Sequence, residues 1–302
     1  MPRSTTRLVL PVAVALASVL LAACAGSAAQ PATAGGATSV VAAFYPLQYA
    51  AQAVGKDTVT VSTLTEPGIE PHDLELTAAQ VAEIANADVV LYIKGFQPAV
   101  DEAIEQQAGD RAIDVAADLA RLTGDAAEGE ALDPHVWLDP RNMAAIGQTI
   151  AMRLAEIDPV SAASVAANAA AFTTSMEALD TDFRGALTTC ALRDMVVSHQ
   201  AFAYLAAAYG LTQVGISGLS PEAEPSPARM KDVATLVEQA GITTIYYETL
   251  VDPKVAQTIA DETGAAAVVL DPLEGLAEGS AADYASVMRE NLSALVKGQG
   301  CM

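Results

Sequence analysis

Apolar and polar positions along this chain fall into two alternating patterns. Short runs of apolar and β-branched residues read as strands: SVVAAFYP (39–46), TVTVSTL (58–64) and DVVLYIK (88–94) in the first half. Between and after them, PLQYAAQAVG and TAAQVAEIANA (77–87) read as helices, the second with Thr77 placed to cap it, and a further helix covers about 98–108. The second half repeats the plan. MVVS (195–198), TQVGI, ITTIYYE and AAAVVL (265–270) read as strands. Helices are expected near 201–209, over ARMKDVATLVEQAG with Gly241 closing it, at 253–263 ending near Gly264, and at about 281–297. Alternation of this kind predicts an α/β fold with parallel sheets.

Between the halves lies DPVSAASVAANAAAFTTSMEALDTDFRGAL, 158–187. Asp158 can cap a helix, Pro159 suits its first position, and nothing breaks the run until Gly185. About 26 residues of helix would be about 40 Å long at 1.5 Å per residue. The pattern therefore predicts two α/β lobes joined by one long rigid helix: a first lobe over 39–157, the linking helix over 158–187 and a second lobe over 188–302.

The amino terminus has a different character. Arg3 and Arg7 precede an apolar run from Leu8 to Leu21, too short to span a bilayer comfortably, which has the layout of a secretory signal. It ends in Leu21-Ala22-Ala23-Cys24, which resembles the lipobox of bacterial lipoproteins. The resemblance implies a signal peptide over 1–23, cleavage before Cys24 and a lipid on its thiol; an ordinary signal peptide with a chance cysteine is the alternative. Residues 24–38 lack bulky apolar side chains and read as a flexible tether. The expected location is extracytoplasmic, lipid-anchored to the bacterial cell membrane.

Charge and cysteines narrow the function. The chain carries a formal charge of −22, and loss of residues 1–23 removes two arginines and no acid, taking it to −24. So acidic a surface argues against nucleic acid, which needs basic patches, and raises the local concentration of cations. Cys190 and Cys301 remain after Cys24. Outside the cytoplasm an even pair suggests a disulfide tying the carboxyl end to the start of the second half; two free thiols are the alternative.

The chain has only three histidines. His72 lies in PGIEPHDLEL (67–76), after a strand and before a helix; His135 lies in LDPHVWLDP (132–140), just before a helix; His199 follows MVVS. Asp271 follows AAAVVL directly. In α/β sheets ligands gather beyond the carboxyl ends of strands. Two of these groups come from each half, as a cleft between lobes requires. Three imidazoles and one carboxylate can close a tetrahedron around a borderline cation such as Zn²⁺.

Five ordered segments carry a family resemblance. GIEPHDLELT, DPHVWLDPRN (133–142), SHQAFAYLAAAYGL (198–211), LSPEAEPSP (219–227) and VVLDPLEGL (268–276) resemble the motifs of metal-binding solute-binding lipoproteins of bacterial zinc/manganese ABC transporters, cluster A-I, zinc-type. The resemblance covers nearly all of 38–302. It implies His72, His135, His199 and Asp271 as metal ligands in a cleft between lobes bridged by a long helix. Its implied function is capture of Zn²⁺ outside the cytoplasm and delivery to an ABC permease for import. Implied partners are that permease, the membrane through the lipid, and a zinc metallochaperone; the protein is expected to be a monomer that binds no nucleic acid.

Manganese binders in this family often carry glutamate where His199 stands, and imidazole suits zinc while hard oxygen suits manganese. Capture of Mn²⁺ or Fe²⁺ is the alternative. Some zinc relatives carry a glutamate just before the first histidine, where this chain has Pro71, and some carry a histidine-rich loop where RLTGDAAEGEALDPH (121–135) is short and acidic, with Asp125, Glu128 and Glu130. Metal-bound imidazoles usually donate their outward N–H to a carboxylate or carbonyl. Glu70, Asp73 and Glu248 are the candidates for that role. A zinc hydrolase and an adhesin are the other readings weighed. Catalytic zinc keeps an open position that four protein ligands would fill, and the sequence shows neither HExxH nor a serine or cysteine nucleophile motif. The protein is therefore expected not to be an enzyme.

Overall fold

The computed structural model describes residues 36–124 and 131–302. The signal segment 1–23, Cys24, the tether up to residue 35, and Asp125, Glu128 and Glu130 lie outside the described residues.

The first lobe runs β1 (Thr38–Ala42), α1 (Tyr45–Gly55), β2 (Val59–Thr63), α2 (Ala78–Asn86), β3 (Val89–Tyr92), α3 (Pro98–Gln107), β4 (Ala112–Asp114) and α4 (Pro140–Ile157). Helix α5 (Ala162–Leu187) follows. The second lobe runs β5 (Asp194–Val197), α6 (Ala203–Tyr209), β6 (Thr212–Gly215), α7 (Pro227–Ala240), β7 (Thr244–Tyr247), α8 (Lys254–Thr263), β8 (Ala266–Val269) and α9 (Tyr284–Gly298). Among the described residues each lobe holds one sheet, ordered β2-β1-β3-β4 and β6-β5-β7-β8, and every adjacent pair is parallel. Val40, for example, stands opposite Val61 on one side and Val89 on the other. Parallel pairing directs all carboxyl ends in a sheet to one edge, so the loops after β2, β5 and β8 open on the same side of their lobes.

Local chemistry explains the boundaries. Thr77 and Gln80 form a reciprocal capping box at the start of α2, each side chain accepting from the other's backbone. Asp139 accepts from the Arg141 N–H ahead of α4, whose first residue is Pro140. Gly241 ends α7 at a φ of 63°, a conformation that a Cβ would strain.

Helix α5 is 26 residues long, about 40 Å at 1.5 Å per residue. It begins at Ala162 rather than Pro159, because Asp158 uses its carboxylate on Val160 and Ser161 to hold the turn from α4. Its buried positions, Val165, Ala169, Phe172, Met176, Leu179, Phe183 and Leu187, recur every three or four residues and form one stripe along its length. The stripe lies in a single apolar core that also takes in Val40, Leu47 and Ile146 of the first lobe and Tyr204, Tyr284 and Leu295 of the second. Where α4 meets α5, Gly147 lies against Phe172; a Cβ there would come within 2.5 Å of the ring. A smaller core, including Val196, Val233, Ile245 and Ile259, fills the other face of the second sheet.

Cys190 and Cys301 form a disulfide, and their backbones pair in a short antiparallel bridge. Among the described residues no helix is long and apolar enough to cross a membrane.

Candidate metal centre

The strand-end loops and the segment before α4 bring four groups together. His72 lies in the loop after β2, His199 follows β5, and Glu274 lies in the loop after β8. His135 immediately precedes a 3-10 turn, Val136–Leu138, that leads into α4. One ligand atom from each of His72, His135, His199 and Glu274 lies within 4.8 Å of all the others. Glu274 Oε1 is 3.4 Å from His72 Nε2, 3.2 Å from His135 Nε2 and 3.1 Å from His199 Nε2. The Nε2 atoms of His135 and His199 are 3.4 Å apart. A tetrahedron with metal–nitrogen bonds of about 2.0–2.1 Å has edges of about 3.3–3.4 Å. These four edges suit a small four-coordinate cation, and the two from His72 to the other imidazoles lie within 4.8 Å. The four residues are 5%, 0%, 1% and 1% exposed, in chain order, so a bound ion would shed its water.

The carboxylate that stands among the three imidazoles in this structure is Glu274, while Asp271, expected there from the sequence, is turned to other partners. Asp271 Oδ1 accepts the Leu273 N–H at 2.7 Å and its Oδ2 accepts the Thr249 hydroxyl at 2.9 Å. The Asp271 backbone is clasped by the Asn291 side chain, which accepts its N–H at 2.8 Å and donates to its carbonyl at 2.7 Å. Asp271 thus builds the loop. Leu273 then turns the chain at a φ of +56°, unusual for a residue with a Cβ, and the next side chain enters the cleft. Glu274 Oε2 is buried without a hydrogen-bond partner, as suits an oxygen shaped for a cation. The sequence signal for Glu274 was a lone acid between leucines in PLEGL.

The outward nitrogens of two imidazoles are fixed by acids. His199 Nδ1 is 2.8 Å from Glu248 Oε1, which also accepts from Ser198. His135 Nδ1 is 2.8 Å from Asp133 Oδ1, which accepts the His135 backbone N–H at 2.9 Å as well. Sequence reasoning singled out Glu248 but missed Asp133, two residues ahead of its histidine in Asp-Pro-His. Glu70 accepts the His72 backbone N–H at 3.1 and 3.0 Å, so it shapes the loop rather than the ring. Asp73 is exposed. Phe96 packs edge-on to the His72 ring at 4.8 Å, and Trp137 lies 5.2 Å from the His135 ring.

The electrostatics follow from burial and pairing. Burial opposes charge on His199, but the carboxylates of Glu248 and Glu274 outweigh it and hold its pKa well above the ordinary value. Asp133 and Glu274 likewise raise His135 against the effect of burial. Burial prevails at His72 and lowers its pKa. Glu274 would be pushed up by burial, yet the three imidazoles pull it well below the usual carboxylate range. Glu70 rises to about 8 through burial and the repulsion of Glu274. The carboxylates thus favour positive charge at His135 and His199, while burial disfavours it at His72. A cation bound there would compete with protons for the same nitrogens.

Residues 40–298 match the family model of ZnuA, the zinc-uptake complex component A, periplasmic. The chain belongs to this family. It is 31% identical over 301 residues to the high-affinity zinc uptake system protein ZnuA of Bacillus subtilis, covering 93% of this chain and 94% of that one. The crystal structure of the Zn(II)-bound ZnuA-like domain of Streptococcus pneumoniae AdcA is 34% identical, with a TM-score of 0.77 over 87% of this chain and 99% of that chain. The laminin-binding protein Lmb of Streptococcus agalactiae, described as a bifunctional protein with adhesin and metal transporting activity, is 30% identical with a TM-score of 0.79, over 87% and 99% of the two chains. The chain spans little more than half, 56%, of the length of other curated relatives it matches, such as the zinc-binding protein AdcA of Streptococcus pyogenes. These likenesses accord with the two parallel-sheet lobes.

Proposed function

We propose that this protein captures Zn²⁺ outside the cytoplasm and hands it to an ABC permease for import. The observation that carries this reading is the buried convergence of His72, His135, His199 and Glu274 on one point, with spacing suited to tetrahedral coordination. Three imidazoles and one carboxylate favour zinc over manganese or iron(II). Zinc is here the cargo. Membership of a zinc-uptake family and the likeness to a Zn(II)-bound domain support the same cation and an uptake complex as partner. Residues 1–23 would act as the signal peptide, Cys24 as the lipidated anchor, and the tether to residue 38 as the spacer from the membrane.

Capture rather than catalysis follows from the ligand count. Four protein groups on a tetrahedral ion leave no position for a reactive water. The acidic surface would draw the cation in, and the core shared along α5 would keep the lobes from swinging widely. The likeness to Lmb supports a separate adhesin reading, which binding of purified protein to immobilised laminin would test. The principal test is import. Cells carrying His199→Ala in place of the unaltered protein should lose growth and zinc accumulation when zinc is scarce. Uptake at the unaltered level would contradict the proposal.

A further inference from the structure

His135 belongs to the first lobe by sequence, yet the second lobe grips its segment. Tyr284 of α9 donates to the Trp137 carbonyl at 2.6 Å, and the Trp137 indole N–H donates to the Pro272 carbonyl at 2.7 Å. The third contact lies nearest the histidine. Leu122 and Asp133 close the base of the loop that precedes it. The Asp133 N–H donates to the Leu122 carbonyl at 3.0 Å, the Gly124 N–H donates to the Ala131 carbonyl at 3.1 Å, and Thr123 pairs antiparallel with Leu132. The remaining rung is indirect. The Leu122 N–H donates to the Tyr204 hydroxyl at 2.8 Å, and that hydroxyl donates to the Asp133 carbonyl at 2.9 Å. The Arg121 guanidinium reaches the same carbonyl at 3.4 Å.

Tyr204 therefore inserts a second-lobe hydroxyl between two first-lobe backbone groups. It is 5% exposed and Asp133 is 2% exposed, so water does not readily replace the contact. From Asp133 the path to the centre is one step, because its carboxylate holds both the backbone N–H and Nδ1 of His135. Tyr204 also stands on the segment that carries His199, five residues further on. One strap thus supplies a ligand from the second lobe and fixes the position of a ligand from the first.

We propose that Tyr204 is a positioning residue for metal selection: through Asp133 it sets the His135 imidazole in the frame of His199 and Glu274. This inference rests on the metal-capture reading. With the hydroxyl in place, the two imidazole nitrogens stay 3.4 Å apart, which favours a small tetrahedral ion. Without it, His135 can drift and the centre admits larger cations with more ligands.

The test is Tyr204→Phe, with Tyr209→Phe as control. Tyr209 is a buried tyrosine of the same helix whose hydroxyl meets Asp180 at 3.1 Å. Outer contacts to metal-bound histidine are typically worth about 10–100-fold in affinity. Zinc should leave Tyr204→Phe about tenfold faster than the unaltered protein. The visible spectrum of the Co²⁺-loaded variant should lose the intensity of a tetrahedral ion, and the zinc preference over manganese should narrow. Tyr209→Phe should match the unaltered protein in all three. A role in stability alone would lower the melting temperature of the metal-free protein and leave the spectrum and selectivity unmoved, which would overturn the proposal. Hydrogen exchange of the unaltered protein reads the same link without a variant. Zinc should slow exchange at the Leu122 amide, and equal exchange with and without zinc would overturn the proposal. Failure of the unaltered protein to bind zinc or cobalt would instead overturn the site reading, and this inference with it.

Discussion

Glu274 and Asp271 stand three residues apart in one loop and have opposite tasks. Asp271 spends both oxygens on Leu273 and Thr249, while Glu274 offers one oxygen to three imidazoles and keeps the other unpartnered. Glu274→Gln should therefore weaken zinc binding by more than the roughly 10–100-fold that outer contacts contribute. Asp271→Asn keeps an acceptor for the Leu273 N–H and should weaken it by less than about tenfold. Competition against a coloured chelator measures both, and equal losses would contradict the assignment. The histidines were legible in the sequence because the whole stock of three lay beside predicted strand ends or a helix start. The acid was not, because its choice depends on the positive φ at Leu273, which apolar periodicity does not encode. Asp133 was overlooked for a related reason. Its role depends on a side chain folding back onto His135, a local geometry rather than a pattern.

At the scale of elements, seven of the eight strands among the described residues follow from short β-branched and apolar runs. β4 does not, since it is three half-buried residues, Ala-Ile-Asp, at a sheet edge, where neither length nor alternation can mark it. The linking helix was legible as an uninterrupted run, but its start was displaced because Asp158 caps a turn instead of the helix. Around α5, the disulfide adds a fixed point. Cys190 follows the helix and Cys301 follows α9, 111 positions apart in sequence. In the chain-entropy model, closing a loop of that size stabilises the fold by at most about 4–5 kcal/mol. Replacing both cysteines by serine should lower the midpoint of urea unfolding of the metal-free protein by up to that equivalent. The metal groups lie on other elements, so one equivalent of zinc should still bind. Loss of zinc binding in a folded double variant would contradict this separation.

At the scale of the whole molecule, two lobes of identical strand order share one core along α5 and present their loops to a common cleft. The first lobe supplies His72 and His135, and the second supplies His199 and Glu274. The shared core makes wide separation of the lobes costly, because opening would expose the stripe from Val165 to Leu187. Metal choice is then set by a rigid spacing more than by a closing motion. This spacing and donor set should select zinc. Competitive titration of the metal-free protein with zinc and manganese tests it most directly. One zinc per chain should bind, far more tightly than manganese and displacing it completely; tighter binding of manganese, or no stoichiometric zinc, would rule out zinc selection by this site.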